Sequence, residues 1–253
     1  MSSNWSRNWW KDVLCFWRFF RKDSKRDVVI FLGPNKGGKT ELYQAINNLP
    51  FQNKNEDCNT GRRVHVHKIN GIGRIEEKAY GKLRFTVVDS GGEEDHIKIV
   101  VEKTIDHLIR ARPDRVLVVL VVDIDPQTEK QKQEMTAPFI AQYLSLIAMS
   151  CEKKNWYGDK YRGQKLKDVE DFVCKRYDEG NWFFTVVGTH GNMTSEIESK
   201  MSSFFNFLEK YRGKMTPVGA SRIISFELDD KKDVHGREAA REWMAKTLKA
   251  MRG

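Results

Sequence analysis

Residues 27–46 decide the fold: Asp27-Val28-Val29-Ile30-Phe31-Leu32-Gly33-Pro34-Asn35-Lys36-Gly37-Gly38-Lys39-Thr40-Glu41-Leu42-Tyr43-Gln44-Ala45-Ile46. After Asp27 comes an unbroken β-prone apolar run, the composition of a strand covered on both faces. Residues 33–40 match G-x-x-x-x-G-K-[ST] at every fixed position, and residues 41–46 are helix-compatible. The motif therefore stands between a strand and a helix, as a phosphate loop must. Glycine is needed because backbone N–H groups must converge on phosphate oxygens with no Cβ in the way, and the helix N-terminus adds a favourable dipole. Gly33, Pro34, Asn35, Lys36, Gly37 and Gly38 are expected to form the cradle. Lys39 is expected to bridge the β- and γ-phosphates, and Thr40 to place its hydroxyl on Mg²⁺.

Outward from this loop the strand signal returns. Residues 82–88 read as a second strand ending in Asp89-Ser90-Gly91-Gly92-Glu93, residues 116–123 and 182–188 are buried-strand runs, and Arg222-Ile223-Ile224 is a short one. Arg62, Val64, Val66 and Ile69 mark a strand of alternating character. Between them, helical spacing recurs in Ile97, Val101, Ile105 and Leu108, in Met135, Phe139, Tyr143, Leu146 and Ile147, in Phe204, Phe205, Phe207 and Leu208, and in Ala240, Trp243, Met244, Leu248 and Met251. Strands alternating with such helices predict an α/β fold, a three-layer, doubly wound, mainly parallel sheet with helices on both faces. More chain separates 116–123 from 182–188 than one crossover helix needs. Residues 153–163 are basic, aromatic and turn-rich, and Leu166, Val169, Phe172 and Val173 suggest another helix. The region around 150–180 thus reads as a solvated insertion, with partner binding as its next use.

An Asp at the end of a buried strand, followed by a glycine turn, suits a water-mediated Mg²⁺ contact and a sensor of the γ-phosphate. With these features residues 27–252 resemble a small regulatory GTPase of the Ras and Arf type, and the D-x-G-G followed by a long helix looks most like the Arf and signal-recognition-particle-receptor-β branch. The resemblance implies a Mg²⁺-dependent protein that binds GTP and GDP and hydrolyses GTP. It implies Asp89 at the metal, the Gly92 amide at the γ-phosphate, and Thr60, in Asn59-Thr60-Gly61, as the switch threonine that reports the γ-phosphate through Mg²⁺. Glu93 stands where the family has a glutamine that orients the attacking water. A carboxylate there faces the charge of the γ-phosphate, so slow intrinsic hydrolysis is expected. The base-reading N/T-K-x-D motif is matched by Thr189, while His190 replaces lysine and Asn192 replaces aspartate. An amide accepts only one of the two hydrogen bonds that guanine offers a carboxylate. Ser225 falls where the family's last base-contacting loop lies.

The chain has 253 residues, 44 Lys plus Arg against 35 Asp plus Glu, and a formal charge of +9. With 40% apolar and 31% charged residues it has a globular composition, and its length fits one enlarged domain. Its longest apolar runs fall far short of the roughly 20 residues a spanning helix needs. Cys15, Cys58, Cys151 and Cys174 have no paired spacing, which argues against a zinc site or a disulfide framework and for a cytoplasmic protein. His65 and His67 alternate on one strand face without a third ligand type beside them.

Residues 1–26 hold seven Lys or Arg against Asp12 and Asp23, so +5 of the +9 lies there. This concentration argues against a nucleic-acid footprint, which would spread basic residues over a folded face. On a helix, Trp5, Trp9, Phe16, Trp17 and Phe20 fall on one side and Arg7, Lys11, Arg18 and Lys22 on the other. That pattern fits an amphipathic helix lying in an anionic membrane interface, at the cytoplasmic face, and equally a helix packed on its own domain or on a partner chain. Arg18 interrupts any secretory core. Residues 24–26 then read as a hinge into a phosphate-loop domain over 27–253.

The function expected is a guanine-nucleotide switch with an effector or regulatory protein as partner. The rivals are an ATP-binding ATPase or kinase-like enzyme, for which residues 160–167 are a poor match to an arginine-rich lid, and a nucleotide-locked scaffold with little hydrolysis.

Overall fold

The computed structural model describes residues 27–34, 36–46, 97–152, 161–190, 195–219 and 236–253 in full, and residues 65–70, 84–89, 222–223 and 234–235 as backbone. Residues 1–26, with Trp5, Trp9, Phe16, Trp17 and Phe20, lie outside the described residues.

Five strands carry the sheet's register: β1 (Asp27–Leu32), β2 (His65–Asn70), β3 (Arg84–Asp89), β4 (Arg115–Asp123) and β5 (Trp182–Thr189). Two short edge segments, β6 (Thr216–Pro217) and β7 (Arg222–Ile223), both run beside β5. Among the described residues the order is β2-β3-β1-β4-β5-β6, with β7 also on β5. All pairings are parallel except β2 on β3. The architecture is the doubly wound, mainly parallel α/β sandwich of a phosphate-loop fold. Thr216 stands opposite Phe183 and Arg222 opposite Val187, so six steps of edge chain answer four of β5.

The strict period of two sorts the strand residues. Val28, Ile30, Leu32, Val116, Val118, Leu120 and Val122 join one core, and Val29, Phe31, Leu117, Val119 and Val121 join the other. That is why β1 and β4 read as continuous apolar runs: both faces are covered. On the first face lie α2 (Ile97–Ala111), α4 (Ala137–Glu152) and α6 (Ser195–Glu209). On the second lie α1 (Lys39–Ile46) and α7 (Val234–Arg252), packed on each other. β1 sits between β3 and β4, and the chain leaves it towards one side of the sheet before crossing to the other. The strand order thus reverses at β1, and open α/β sheets place their ligands at the carboxyl ends of the strands at such a point.

Two local features depart from expectation. Where one helix was expected from Met135 onward, a short α3 (Glu129–Glu134) precedes α4, closed at its start by reciprocal Thr128 and Gln131 capping bonds. Pro138 falls in the first turn of α4, where its missing N–H costs nothing. In the region read as a solvated insertion, residues 153–160 lie outside the described residues, and the helix expected around 166–173 is present and packed into the core: α5 is a continuous helix of Gln164–Val169, a π-helical turn Glu170–Cys174, and Lys175–Asp178. Tyr161, Val169, Val173, Cys174 and Tyr177 are buried in the first core, Arg112 stacks on Phe172, and Tyr177 meets Trp182 edge-on. Apolar spacing of 166, 169, 173 and 177 overrides the basic surface of the segment.

The opposite end of the sheet is closed by charge. Asp27 is fully buried and pairs with Arg115 Nε at 3.2 Å and with the Arg252 guanidinium, whose Nε donates at 2.6 Å. Arg115 also donates to the Met251 carbonyl at 3.1 Å. The last turn of α7 is thereby fastened to the first residue of β1.

Candidate nucleotide-binding site

The loop after β1 is pressed against the ends of β4 and β5, and its glycines leave no room for side chains. A Cβ on Gly33 would stand 2.2 Å from the Val121 carbonyl oxygen. At Gly38, φ is +84° and a Cβ would stand 2.6 Å from Thr189 Oγ1. Only glycine meets both demands. Gly37 donates its N–H to the Pro34 carbonyl at 3.2 Å, and Leu42 N–H to Gly38 O at 2.9 Å opens the ladder of α1. Lys36 takes φ +59° and is exposed. The Lys39 side chain folds back over the loop, its ammonium donating to Gly33 O at 3.0 Å and Pro34 O at 2.6 Å. It is 6% exposed, so a full positive charge is held against the loop in a poorly screening environment. Thr40 follows, half-buried in the first turn of α1.

Thr189 ties β5 to this loop. Its hydroxyl lies 2.9 Å from the Gly37 carbonyl and 3.3 Å from that of Val122, and its own carbonyl accepts the Ile124 N–H at 3.0 Å. His190 turns the backbone to φ +52° and sets Nδ1 at 3.3 Å from Asp123 Oδ2. The other Asp123 oxygen accepts the Asp125 N–H at 2.9 Å. Burial works to lower the His190 pKa, but the Asp123 hydrogen bond and charge, joined by Glu41 and Asp125, prevail and hold it above its ordinary value.

From the first helical layer, the buried Tyr143 hydroxyl donates to Gly33 O at 3.3 Å. Burial, and then the charge of Glu134, push this hydroxyl far above its ordinary range, so it remains a donor. Met135 Sδ accepts the Asp123 N–H at 3.3 Å, and its Cε would touch a Cβ on Gly37.

Of the residues read from the sequence, Gly33, Pro34, Lys36, Gly37, Gly38, Lys39, Thr40, Thr189 and His190 are brought together here. The register sets Asp89 opposite Phe31, at the carboxyl end of β3 beside the loop. Asn35, Thr60, Gly92, Glu93, Asn192 and Ser225 lie outside the described residues. Sequence reading missed Asp123, Met135 and Tyr143. An acid ending a buried apolar strand, and a phenol within an otherwise apolar helix face, were the signals. Among the described residues no cluster of His, Cys, Asp or Glu forms a metal site, and no helix is long and apolar enough to cross a membrane.

No family model and no curated protein matches the chain. Among solved structures it is similar to a bacterial selenocysteine-specific elongation factor EF-Sec, at 17% identity and a TM-score of 0.43, covering 88% of this chain and 28% of that one. It is also similar to Methanosarcina barkeri Roco2 RocCORdC bound to GDP, at 15% identity and a TM-score of 0.39, covering 89% of this chain and 50% of that one. The chain thus spans under a third of the first and half of the second.

Proposed function

We propose that this protein is a Mg²⁺-dependent guanine-nucleotide switch of the Ras and Arf type that hydrolyses GTP slowly. The observation that carries the reading is the phosphate loop itself: a glycine cradle that a Cβ would fill, closed by the Lys39 ammonium at 2.6 and 3.0 Å from loop carbonyls. On binding, the ammonium would exchange those carbonyls for phosphate oxygens, while the loop N–H groups and the start of α1 face the anion. Hard oxygen donors are what Mg²⁺ takes, and the Thr40 hydroxyl, with Asp89 at the end of β3 and Thr60, is such a set. When bound, the ion would supply charge neutralisation on the terminal phosphates.

Thr189 holds the base-reading loop to Gly37, so base and phosphate recognition share one rigid unit. Glu93 opposes turnover, since a carboxylate facing the γ-phosphate is repelled or protonated and positions water poorly. In this reading the triphosphate orders the chain around Thr60 and Glu93, an effector or regulatory protein recognises that order, and residues 1–26 hold the protein at the cytoplasmic face of an anionic membrane.

Competition of labelled GTP by GDP, ATP and XTP tests the nucleotide class. GTP and GDP should compete best, and Lys39→Ala should weaken binding at least about a hundredfold, the loss of more than one charge-assisted hydrogen bond. Tight ATP with weak GTP would end the switch reading in favour of an ATPase or kinase. Steady-state phosphate release should rise in Glu93→Gln; an equal or lower rate contradicts the role given to Glu93.

A further inference from the structure

We infer that the Asp123–His190 pair is a charge-compensating device of the nucleotide site, through which affinity for a nucleoside di- or triphosphate falls when the imidazole loses its proton. The inference rests on the nucleotide reading above and names what regulates that site.

The pair is part of the phosphate loop's support. Thr189 bonds Gly37 at 2.9 Å and sits against Gly38, while Val121, two residues before Asp123, abuts Gly33 and Gly37. The turn at His190 uses a left-handed backbone that is uncommon for a residue with a Cβ, and it is this turn that brings the ring to 3.3 Å from Asp123. Asp123 is 7% exposed at its side chain, so its charge is weakly screened by water. The imidazole is faced by Asp123 from β4, by Asp125 just after it, and by Glu41 from the first turn of α1. Asp123 therefore meets the ring directly, the charges of Glu41 and Asp125 add to its field, and the ring stands beside a loop built to hold an anion.

The charge states decide what a phosphate meets. With His190 protonated, the negative charge of Asp123 is balanced within the pair, and the loop presents the Lys39 ammonium without opposition. With His190 neutral, the Asp123 charge is left uncompensated, and a carboxylate so little exposed repels an incoming polyphosphate with little screening by water. The resembled family carries a lysine at this position, whose charge is permanent; here it is titratable. The three carboxylates already hold the ring's proton above the ordinary histidine range. An added polyphosphate holds it more firmly, so binding takes up a proton, and affinity is highest below the ring's pKa and falls as pH rises through it.

The test is equilibrium binding of a ribose-labelled fluorescent GDP to the full chain between about pH 6 and 8.5 at fixed Mg²⁺. Relative to His190→Lys, the wild-type Kd should rise about tenfold over that range, the equivalent of one pKa unit between free and bound ring. His190→Lys should lose this slope, because its charge persists, and Asp123→Asn should keep it but shifted to lower pH, because the ring then loses its proton more readily. Comparison among the three cancels the titration of the nucleotide's own phosphate. One common profile for all three would overturn the inference and leave nucleotide binding intact. Failure of the wild type to bind GDP, GTP, ATP or XTP at any pH would instead overturn the nucleotide reading, and this inference with it. Independently of affinity, the His190 ring resonance in NMR should titrate lower in Asp123→Asn and higher with GDP, and a titration unmoved by both changes would also overturn it.

Discussion

At the scale of single residues, function here depends on what is missing from the side chains as much as on what is present. Gly38 combines a positive φ with a Cβ position 2.6 Å from the Thr189 hydroxyl. Thr189 cannot yield, since its Oγ1 also bonds Gly37 and approaches Val122. Gly38→Ala should therefore cost roughly 1–3 kcal/mol from the strained backbone alone, with a further loss from displaced Thr189. Urea unfolding would show it, and a variant as stable as wild type, binding GDP equally well, would mean that the loop and β5 are not fitted together as described. Gly38 and Lys39 were legible in the sequence because the chemistry of phosphate binding fixes both identity and spacing. His190 was legible only as a departure from a family pattern. Its partner Asp123 lies 67 positions away in sequence, and no local rule links the two residues.

At the scale of elements, the strands were legible because a parallel strand covered on both faces has to be apolar throughout. β1, β4 and β5 were read within a residue of their ends. The alternation of β2 gave its place but not its direction, since antiparallel pairing with β3 depends on the path of the chain between them. α5 was legible as a helix from the spacing of Leu166, Val169, Phe172 and Val173, but the depth of its burial was not, since that depends on α2 and α4 lying beside it. α4 was read as a core helix, and it is also a support of the site through Tyr143. Tyr143→Phe removes the hydroxyl that reaches Gly33 O at 3.3 Å, while Lys39 Nζ still donates to that carbonyl at 3.0 Å. The expected loss is about 1 kcal/mol, the net contribution of one buried hydrogen bond. Chemical denaturation of the two proteins side by side measures it, and no difference would make the contact incidental.

At the scale of the molecule, the two ends of the sheet serve different ends of the chain. The carboxyl ends of β1, β4 and β5 carry the loop, the Thr189 anchor and the Asp123–His190 pair. The other end is fastened by Asp27, Arg115 and Arg252, which tie the last turn of α7 to the first residue of β1. Asp27 is the inner member of this clasp, and Arg115 is only 6% exposed, so the cluster belongs to the folded domain. A chain shortened to begin at Asp27 should then keep its cooperative unfolding and its nucleotide affinity. The same truncation should abolish co-sedimentation with vesicles rich in anionic lipid, because it removes five large aromatic anchors and most of the net charge. Each buried aromatic contributes about 1.5–3 kcal/mol and each basic residue near such a surface about 1 kcal/mol. Sedimentation that persists without residues 1–26 would place the lipid contact on the folded domain. A truncated chain that loses stability or GDP affinity, and shows no change with vesicles, would instead assign the aromatic face to packing on the domain.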